Sequence, residues 1–387
     1  MKIGVPKEIA AHETRVALIP SMIADLKKAG NEIYIEKEAG RLSLITDQQY
    51  AEAGAVILND SKELYGTCDV ILKVQPPTYS KPFKMHEVDL MQQGASLIGF
   101  LAPLDHLPLI GKLVEHKITA FAMEFVPRIT RAQSMDALSS MALLAGYKAV
   151  LIAANSLGKI FPLTMTAAGT IAPATVFVLG AGVAGLQAIA IAKKLGAKVE
   201  AFDPRPAVKE QVKSLGGKFI EMELPEENVE SSAGYAKEQS DLFLQKEQEA
   251  IAARLPKVDV VITTARIFGK KAPLLITKEM VELMPAGSII IDLAAAQGGN
   301  CALTEADRIV EHRGVHIHGV TNLPATLPVH ASQMYSKNIT NLFEQLFLEN
   351  AFNFEDEITK GSCITHQGKI VNPLVKERFN SKETDHA

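Results

Sequence analysis

The sequence predicts an α/β protein of two doubly wound domains, and three observations lead there. Short β-branched runs alternate with helical patterns along the whole chain, as parallel strands joined by crossover helices require. Its 387 residues exceed what one ordinary hydrophobic core organises. The strand candidates also fall into two separate series. The first runs Lys2–Val5, Glu32–Glu36, Ala55–Leu58, Val70–Val74, Ser96–Phe100 and Thr119–Met123, with amphipathic segments such as Met22–Ala29 and Leu109–His116 between them. The second runs Thr175–Leu179, Lys198–Phe202, Lys218–Ile220, Val258–Thr263, Ser288–Asp292 and His316–Gly319. A long apolar pattern from Ala137 to Ala154 reads as a connecting helix. Ala331 to Asn350 reads as the helix that returns, with a short closing segment near Ile358 to Val371. The first domain is then discontinuous, residues 1–136 plus 327–387, and the second spans residues 137–326.

Composition narrows the function classes. At 47% hydrophobic and 22% charged the chain is globular rather than disordered. A formal net charge of -4 lacks the basic surplus of a nucleic-acid binder. Cys68, Cys301 and Cys363 are far apart and odd in number, which fits a reducing compartment and buried thiols rather than a disulfide framework or zinc motif. Among the ten histidines, His12, His312, His316, His318 and His330 lack ligand spacing, so no metal is expected. The N-terminus has no apolar signal region. Phe161 to Ala192 is free of charge and long enough to raise the question of a membrane span. Pro162, Gly169, Pro173, Gly180, Gly182 and Gly185 break it into a loop, a buried strand, a glycine turn and a helix start. A soluble chain without a membrane span is therefore expected.

The chemistry begins at Gly180-Ala-Gly-Val-Ala-Gly185, which follows the run Ala174–Leu179 and opens a helix-like Leu186–Leu195. A lone G-x-G-x-x-G is weak, but here strand, turn, helix and second strand fall in order, and Asp203 ends that second strand. The first glycine permits the tight turn, the second lets backbone approach a pyrophosphate, and the third brings helix against strand. The helix N-terminus adds N–H groups and a positive dipole end. A Rossmann-like dinucleotide site follows, built from Gly180, Gly182, Val183, Gly185, Asp203, Pro204 and Arg205. A carboxylate at Asp203 suits ribose hydroxyls and repels a 2′-phosphate, and one unit-charge pair at about 4 Å is worth about 4 kcal/mol at a surface-like dielectric. Arg205 partly offsets that repulsion, and NAD(H) is the nucleotide expected.

Three further segments carry polar groups where binding happens. Arg128-Ile-Thr-Arg-Ala-Gln-Ser-Met-Asp136 sets two guanidiniums, an amide and a carboxylate between apolar segments. From polarity alone it reads more readily as a solvated inter-domain loop. Gly234 and Tyr235 lie in a polar stretch between strand candidates and read as a hinge and packing residue of a lid. Ala265 and Arg266 follow the strand Val258–Thr263, at a carboxyl edge where open sheets bind nucleotides. Asp292, beside Gly298 and Gly299, reads as a structural turn residue.

With these residues in hand, the chain resembles the family containing alanine dehydrogenase and the NAD-binding domain of proton-translocating nicotinamide nucleotide transhydrogenase. The shared framework is Gly4-Val-Pro-Lys-Glu, Glu13-Thr-Arg-Val-Ala-Leu, the glycine fingerprint, Ile291-Asp-Leu-Ala and Gly298-Gly-Asn-Cys301. The stretch Pro127 to Asp136, Ser139-Ser140, Gly146-Tyr-Lys-Ala-Val150, Gly234-Tyr-Ala-Lys-Glu238 and Gly361-Ser-Cys-Ile-Thr365 resemble the transhydrogenase branch. Lys73 and Arg15 match positions of the amino-acid site in alanine dehydrogenase, but its histidine falls on Ala102 and its carboxylate on Ala296. Oxidative deamination needs such acid–base groups, whereas hydride transfer between nucleotides does not.

The resemblance implies a function and roles. It implies an NAD(H)-binding subunit of a Re/Si-specific, proton-translocating transhydrogenase. Hydride would pass to or from NADP(H) on a partner subunit, with membrane-spanning subunits moving protons. The chain would be a homodimer, peripheral on the cytoplasmic face of the inner membrane. Arg128, Gln133 and Asp136 would be the catalytic clasp, with Asp136 and Ser139 on the nicotinamide side and Gln133 facing the second nucleotide. Ser134 and Met135 complete the loop's contacts. The competing reading is an NAD-dependent alanine dehydrogenase.

Overall fold

The computed structural model describes residues 1–221, 240–348 and 352–384. It divides into two compact units, Met1–Met141 with Pro324–Ala387, and Ala142–Leu323. Both are α/β with largely parallel sheets.

The first unit holds an eight-stranded sheet. Its spatial order is Lys369–Ile370, Cys363–His366, Thr119–Ala122, Ser96–Gly99, Val70–Leu72, Lys2–Val5, Glu32–Glu36, Val56–Leu58. The central strands Val70–Leu72, Ser96–Gly99 and Thr119–Ala122 are buried along their whole length, as expected of parallel strands covered on both faces. The closing segment supplies an antiparallel pair, with Cys363 opposite Phe121, so the C-terminal chain completes the sheet begun by the N-terminus. Helix Pro328–Leu346 returns to this unit, where Ser332 and Ser336 hydroxyls accept from the Val16 and Ile19 N–H groups.

The second unit holds a seven-stranded sheet ordered Lys218–Phe219, Lys198–Phe202, Thr175–Leu179, Val260–Thr263, Ile289–Asp292, Val315–Gly319, Arg308–His312. Six strands are parallel and the last is an antiparallel edge. Strand order reverses direction on either side of Thr175–Leu179, which places a topological switch point at the carboxyl ends of that strand and Val260–Thr263. Buried hydrophobic side chains fill both faces, with Val176, Val178, Ile262 and Ile291 on one and Phe177, Leu179, Val261 and Ile290 on the other.

The sequence pattern missed two features here. The edge strand Arg308–His312 is mostly exposed and charged, the composition that protects an edge and hides the alternation. Residues 164–171, expected as loop, form an exposed antiparallel hairpin, Thr164–Thr166 with Gly169–Ile171. The rest of the uncharged stretch resolves into strand Thr175–Leu179, the glycine turn and helix Val183–Lys194. Helix Ala137–Ser156 is, among the described residues, the one helix long and apolar enough to cross a bilayer. Its Gly146 instead packs on the Ala184 backbone. All three cysteines are buried, and burial pushes the Cys68 and Cys363 thiols to about 12 and Cys301 to about 11.

Candidate functional site

Each fingerprint glycine has its own physical reason. Gly180 sits at φ +95°, a left-handed conformation that side chains resist. Its N–H donates to the Phe202 carbonyl at 2.9 Å, and Thr264 Oγ donates to its carbonyl at 3.1 Å. A Cβ on Gly185 would stand 1.8 Å from the Gly180 carbonyl oxygen, so helix and turn touch through bare backbone. A Cβ on Gly182 would meet no atom within 4 Å among the described residues. That opening lies at the N-cap of helix Val183–Lys194, where the N–H groups of the first helical turn converge. Space, donors and dipole thus fit a pyrophosphate at this turn.

Asp203 is 4% exposed and closes the site from the neighbouring strand. Its Oδ2 accepts from Ala181 N–H at 2.7 Å, tying acid to turn. Its two oxygens also take the Arg205 fork, Nε at 2.9 Å and Nη2 at 3.0 Å. Ala265 is clamped by Asn300, which accepts from its N–H at 3.1 Å and donates to its carbonyl at 2.9 Å. Asn300 is fully buried and was absent from the expected set, although it stands in the Gly298-Gly-Asn-Cys motif. Arg266 donates to the Leu293 carbonyl. Asp292 organises the turn its place in the sequence implies, accepting from Ala294, Asn300 and Cys301 N–H groups and the Thr304 hydroxyl. Gly234 and Tyr235 lie outside the described residues.

In the other unit, the polar loop is a built element rather than a loose one. Thr130–Met135 forms a 3₁₀ turn that buries Ala132 and Met135. Arg131 pairs with Asp356 at 2.7 Å, and the Ser134 carbonyl accepts from Asn338 and Asn341 at 2.8 and 3.1 Å. Asp136 caps helix Ala137–Ser156 by accepting the Ser139 N–H at 2.8 Å and the Ser139 hydroxyl. Anchored this way, the loop leaves Arg128 and Gln133 exposed and borders a cavity of about 410 Å³ with Pro127, Ala132, Asp136 and Ser139. A larger cavity of about 820 Å³, lined by Phe161, Pro162 and Leu195, lies at the far end of helix Val183–Lys194 from the glycine turn.

The same unit as the polar loop contains a buried ionic cluster. Lys73 Nζ lies 2.9 Å from Glu87 and 3.3 Å from Glu8, all three buried. Burial works against the Lys73 charge, and the two carboxylates overcome it and raise its pKa. Arg15 Nε donates to Glu13 at 2.7 Å. Burial opposes the Glu13 charge too, yet the Arg15 bonds hold its carboxyl down at about 2. Glu124, missed in the sequence, accepts from Leu101 and Ala102 N–H groups at 2.9 and 2.7 Å. Burial pushes it up to about 7. Ala102, from whose N–H it accepts, sits at φ +43°, in the left-handed region.

A doubly wound sheet, a glycine turn on its switch point and an acid closing the second strand define a dinucleotide-fold protein. Comparison with known proteins is more particular. Residues 4–145 match the alanine dehydrogenase/PNT N-terminal domain and residues 149–373 its C-terminal domain. The first of the polypeptides that make up NAD(P) transhydrogenase subunit alpha in Rhodospirillum rubrum is 46% identical over 380 residues, covering 97% of this chain and 99% of the relative. The crystal structure of a Sinorhizobium meliloti transhydrogenase aligns with TM-score 0.84 at 40% identity, over 97% of this chain and 100% of that one. An L-alanine dehydrogenase structure aligns with TM-score 0.82 at 27% identity, covering 98% and 99%. The chain belongs to the alanine dehydrogenase/PNT family, and its transhydrogenase relatives support an oxidoreductase role.

Proposed function

We propose that this chain is the NAD(H)-binding subunit of a proton-translocating transhydrogenase. The observation that carries the reading is a complete dinucleotide cradle in a chain whose expected acid–base positions, Ala102 and Ala296, are methyl groups. Hydride transfer from NADH to NADP⁺ gives NAD⁺ and NADPH with no proton to place, so positioning does the work. NAD(H), as substrate, takes its pyrophosphate to Gly182 and the N-terminus of helix Val183–Lys194, and its adenosine ribose to Asp203. Val183 and Ala265 flank that site. Arg128, Asp136 and Ser139 orient the nicotinamide end, with Ser134 and Met135 fixing the loop. Gln133, exposed on an anchored turn, faces the NADP(H) of a separate subunit.

The chain works as a homodimer on the cytoplasmic face of the inner membrane, where membrane-spanning subunits couple the reaction to proton movement. Amino-acid dehydrogenation is the poorer reading. The two cations suited to an α-carboxylate, Arg15 and Lys73, already pair with Glu13, Glu8 and Glu87. The test is an assay of the pure chain for alanine-linked NAD⁺ reduction, then of a mixture with an NADP(H)-binding subunit for transfer to a nucleotide analogue. Turnover in the mixture alone supports the proposal, and alanine turnover by the pure chain overturns it.

A further inference from the structure

Gln133 stands exposed between two held stretches of backbone. On its amino side Ala132 is buried, and its N–H donates to the Ile129 carbonyl at 3.0 Å. On its other side the Ser134 carbonyl takes two amide donors, Asn338 Nδ2 at 2.8 Å and Asn341 Nδ2 at 3.1 Å. A carbonyl oxygen has two lone pairs, and these two donors match them. A carbonyl can only accept, so both amides must present nitrogen; turning either over would set oxygen against oxygen. The asparagines are three residues apart, which puts them side by side on one face of helix Pro328–Leu346.

That helix is a firm base for the pair. Upstream, Ser332 and Ser336 accept the Val16 and Ile19 N–H groups, and the fully buried Tyr335 donates its hydroxyl to the Lys73 carbonyl at 2.7 Å. Downstream, Leu342 and Leu346 are buried. The loop's other tie, Arg131 to Asp356, leaves the arginine side chain 47% exposed, and an ion pair open to water holds little. The asparagines therefore carry the larger share of the anchoring. Asn338 is 6% exposed, and its Oδ1 has no partner among the described residues. A leucine would pack there without an idle buried oxygen, so what the amide contributes is its donor to Ser134.

We propose that Asn338 and Asn341 are positioning residues for the hydride-transfer step. They fix the Ser134 carbonyl, and through the adjoining peptide unit they fix the direction in which Gln133 meets the second nucleotide. The inference rests on the reading that Gln133 faces that nucleotide. It separates transfer from NADH binding, because Asp136 has its own anchor in the Ser139 N–H and hydroxyl. Transfer is steeply sensitive to placement, and a displacement of about 1 Å can cost about a hundredfold in rate.

The experiment measures turnover in the mixture with an NADP(H)-binding subunit, NADH affinity and melting temperature. The variants are Asn338→Leu, Asn341→Leu, the double variant and Asn341→Gln. Each leucine is expected to lower turnover about tenfold, and the double about a hundredfold, while NADH affinity stays at the wild-type value. Asn341 is half-buried, so a longer amide fits, and Asn341→Gln should recover most of what Asn341→Leu loses. The Asn341 variants decide the matter if Asn338→Leu melts early. Wild-type turnover in both leucine variants overturns the inference and leaves the functional reading intact. So does NADH affinity that falls in step with turnover, or a glutamine variant no better than leucine. A wild type with no transfer in the mixture defeats the functional reading, and the inference with it.

Discussion

Replacing Gly146 with alanine sets two opposing effects against each other, and the structure decides between them. Gly146 lies inside helix Ala137–Ser156, where alanine is intrinsically better than glycine by about 1 kcal/mol. A Cβ there, however, would stand 2.1 Å from the Ala184 carbonyl oxygen, 2.9 Å from its carbon and 3.1 Å from its Cα. All three atoms are backbone, so no side-chain rotation relieves the contact. The two helices must part by about 1 Å, and overpacking of this kind costs about 1–3 kcal/mol or more. A 2.1 Å contact with backbone puts the cost at the upper end of that range, so the net expectation is a loss of about 2 kcal/mol, which in a unit of this size lowers the melting temperature by about 2–4 °C per kcal/mol.

The same displacement moves Ala184, the second residue of helix Val183–Lys194, and with it the N–H groups offered to the pyrophosphate. NADH affinity therefore falls as well, by about tenfold for each 1.4 kcal/mol of binding free energy lost. Gly66→Ala is the control, since Gly66 is helical and a Cβ there meets nothing within 4 Å among the described residues. It should gain up to about 1 kcal/mol. Circular-dichroism melting and NADH titration read both variants. A Gly146→Ala protein that melts at or above the wild-type temperature would refute the close-packing argument.

Gln133→Asn shortens the exposed amide without touching the loop's anchors, and should cut transhydrogenation in the mixed assay far more than NADH affinity; equal losses would remove the outward-facing role. Asp203→Asn frees the Arg205 fork and removes the charge opposing a 2′-phosphate, so calorimetry should show the NADH-over-NADPH preference shrinking by about tenfold, within the roughly 4 kcal/mol such a charge pair can supply. An unchanged ratio would assign the preference elsewhere. Glu124 has a folded pKa raised from 4.5 to about 7, so its contribution to stability is fully present below 4.5 and is lost as pH rises through 7. Glu124→Gln keeps an oxygen for the Leu101 and Ala102 N–H groups, and should flatten urea-measured stability between pH 5 and 8. A slope as steep as wild type would mean that the carboxyl is ionised throughout.

The fold was legible where physics is local. Parallel strands buried on both faces read as unbroken β-branched runs, and the G-x-G-x-x-G turn reads as three separate demands on backbone conformation, ligand approach and packing. Short exposed strands were not legible, because the hairpin at residues 164–171 and the edge Arg308–His312 carry no buried face to impose alternation. Among the site residues, the acid at Asp203 and the turn at Asp292 announced themselves by position. Asn300 and Glu124 did not. Each is an ordinary polar residue in its own segment, and its importance comes from neighbours tens of residues away.

The sequence by itself determined the α/β class, the two series of strands and the nucleotide fingerprint. Those follow from residue type and spacing, which act within one or two elements. Only the tertiary structure decided what the polar loop is tied to, through Arg131–Asp356 and the Ser134 carbonyl. It alone showed that Lys73 and Arg15 are paired with resident carboxylates. Charge pairing and desolvation depend on distance and burial, and the chain acquires both only when its distant segments pack together.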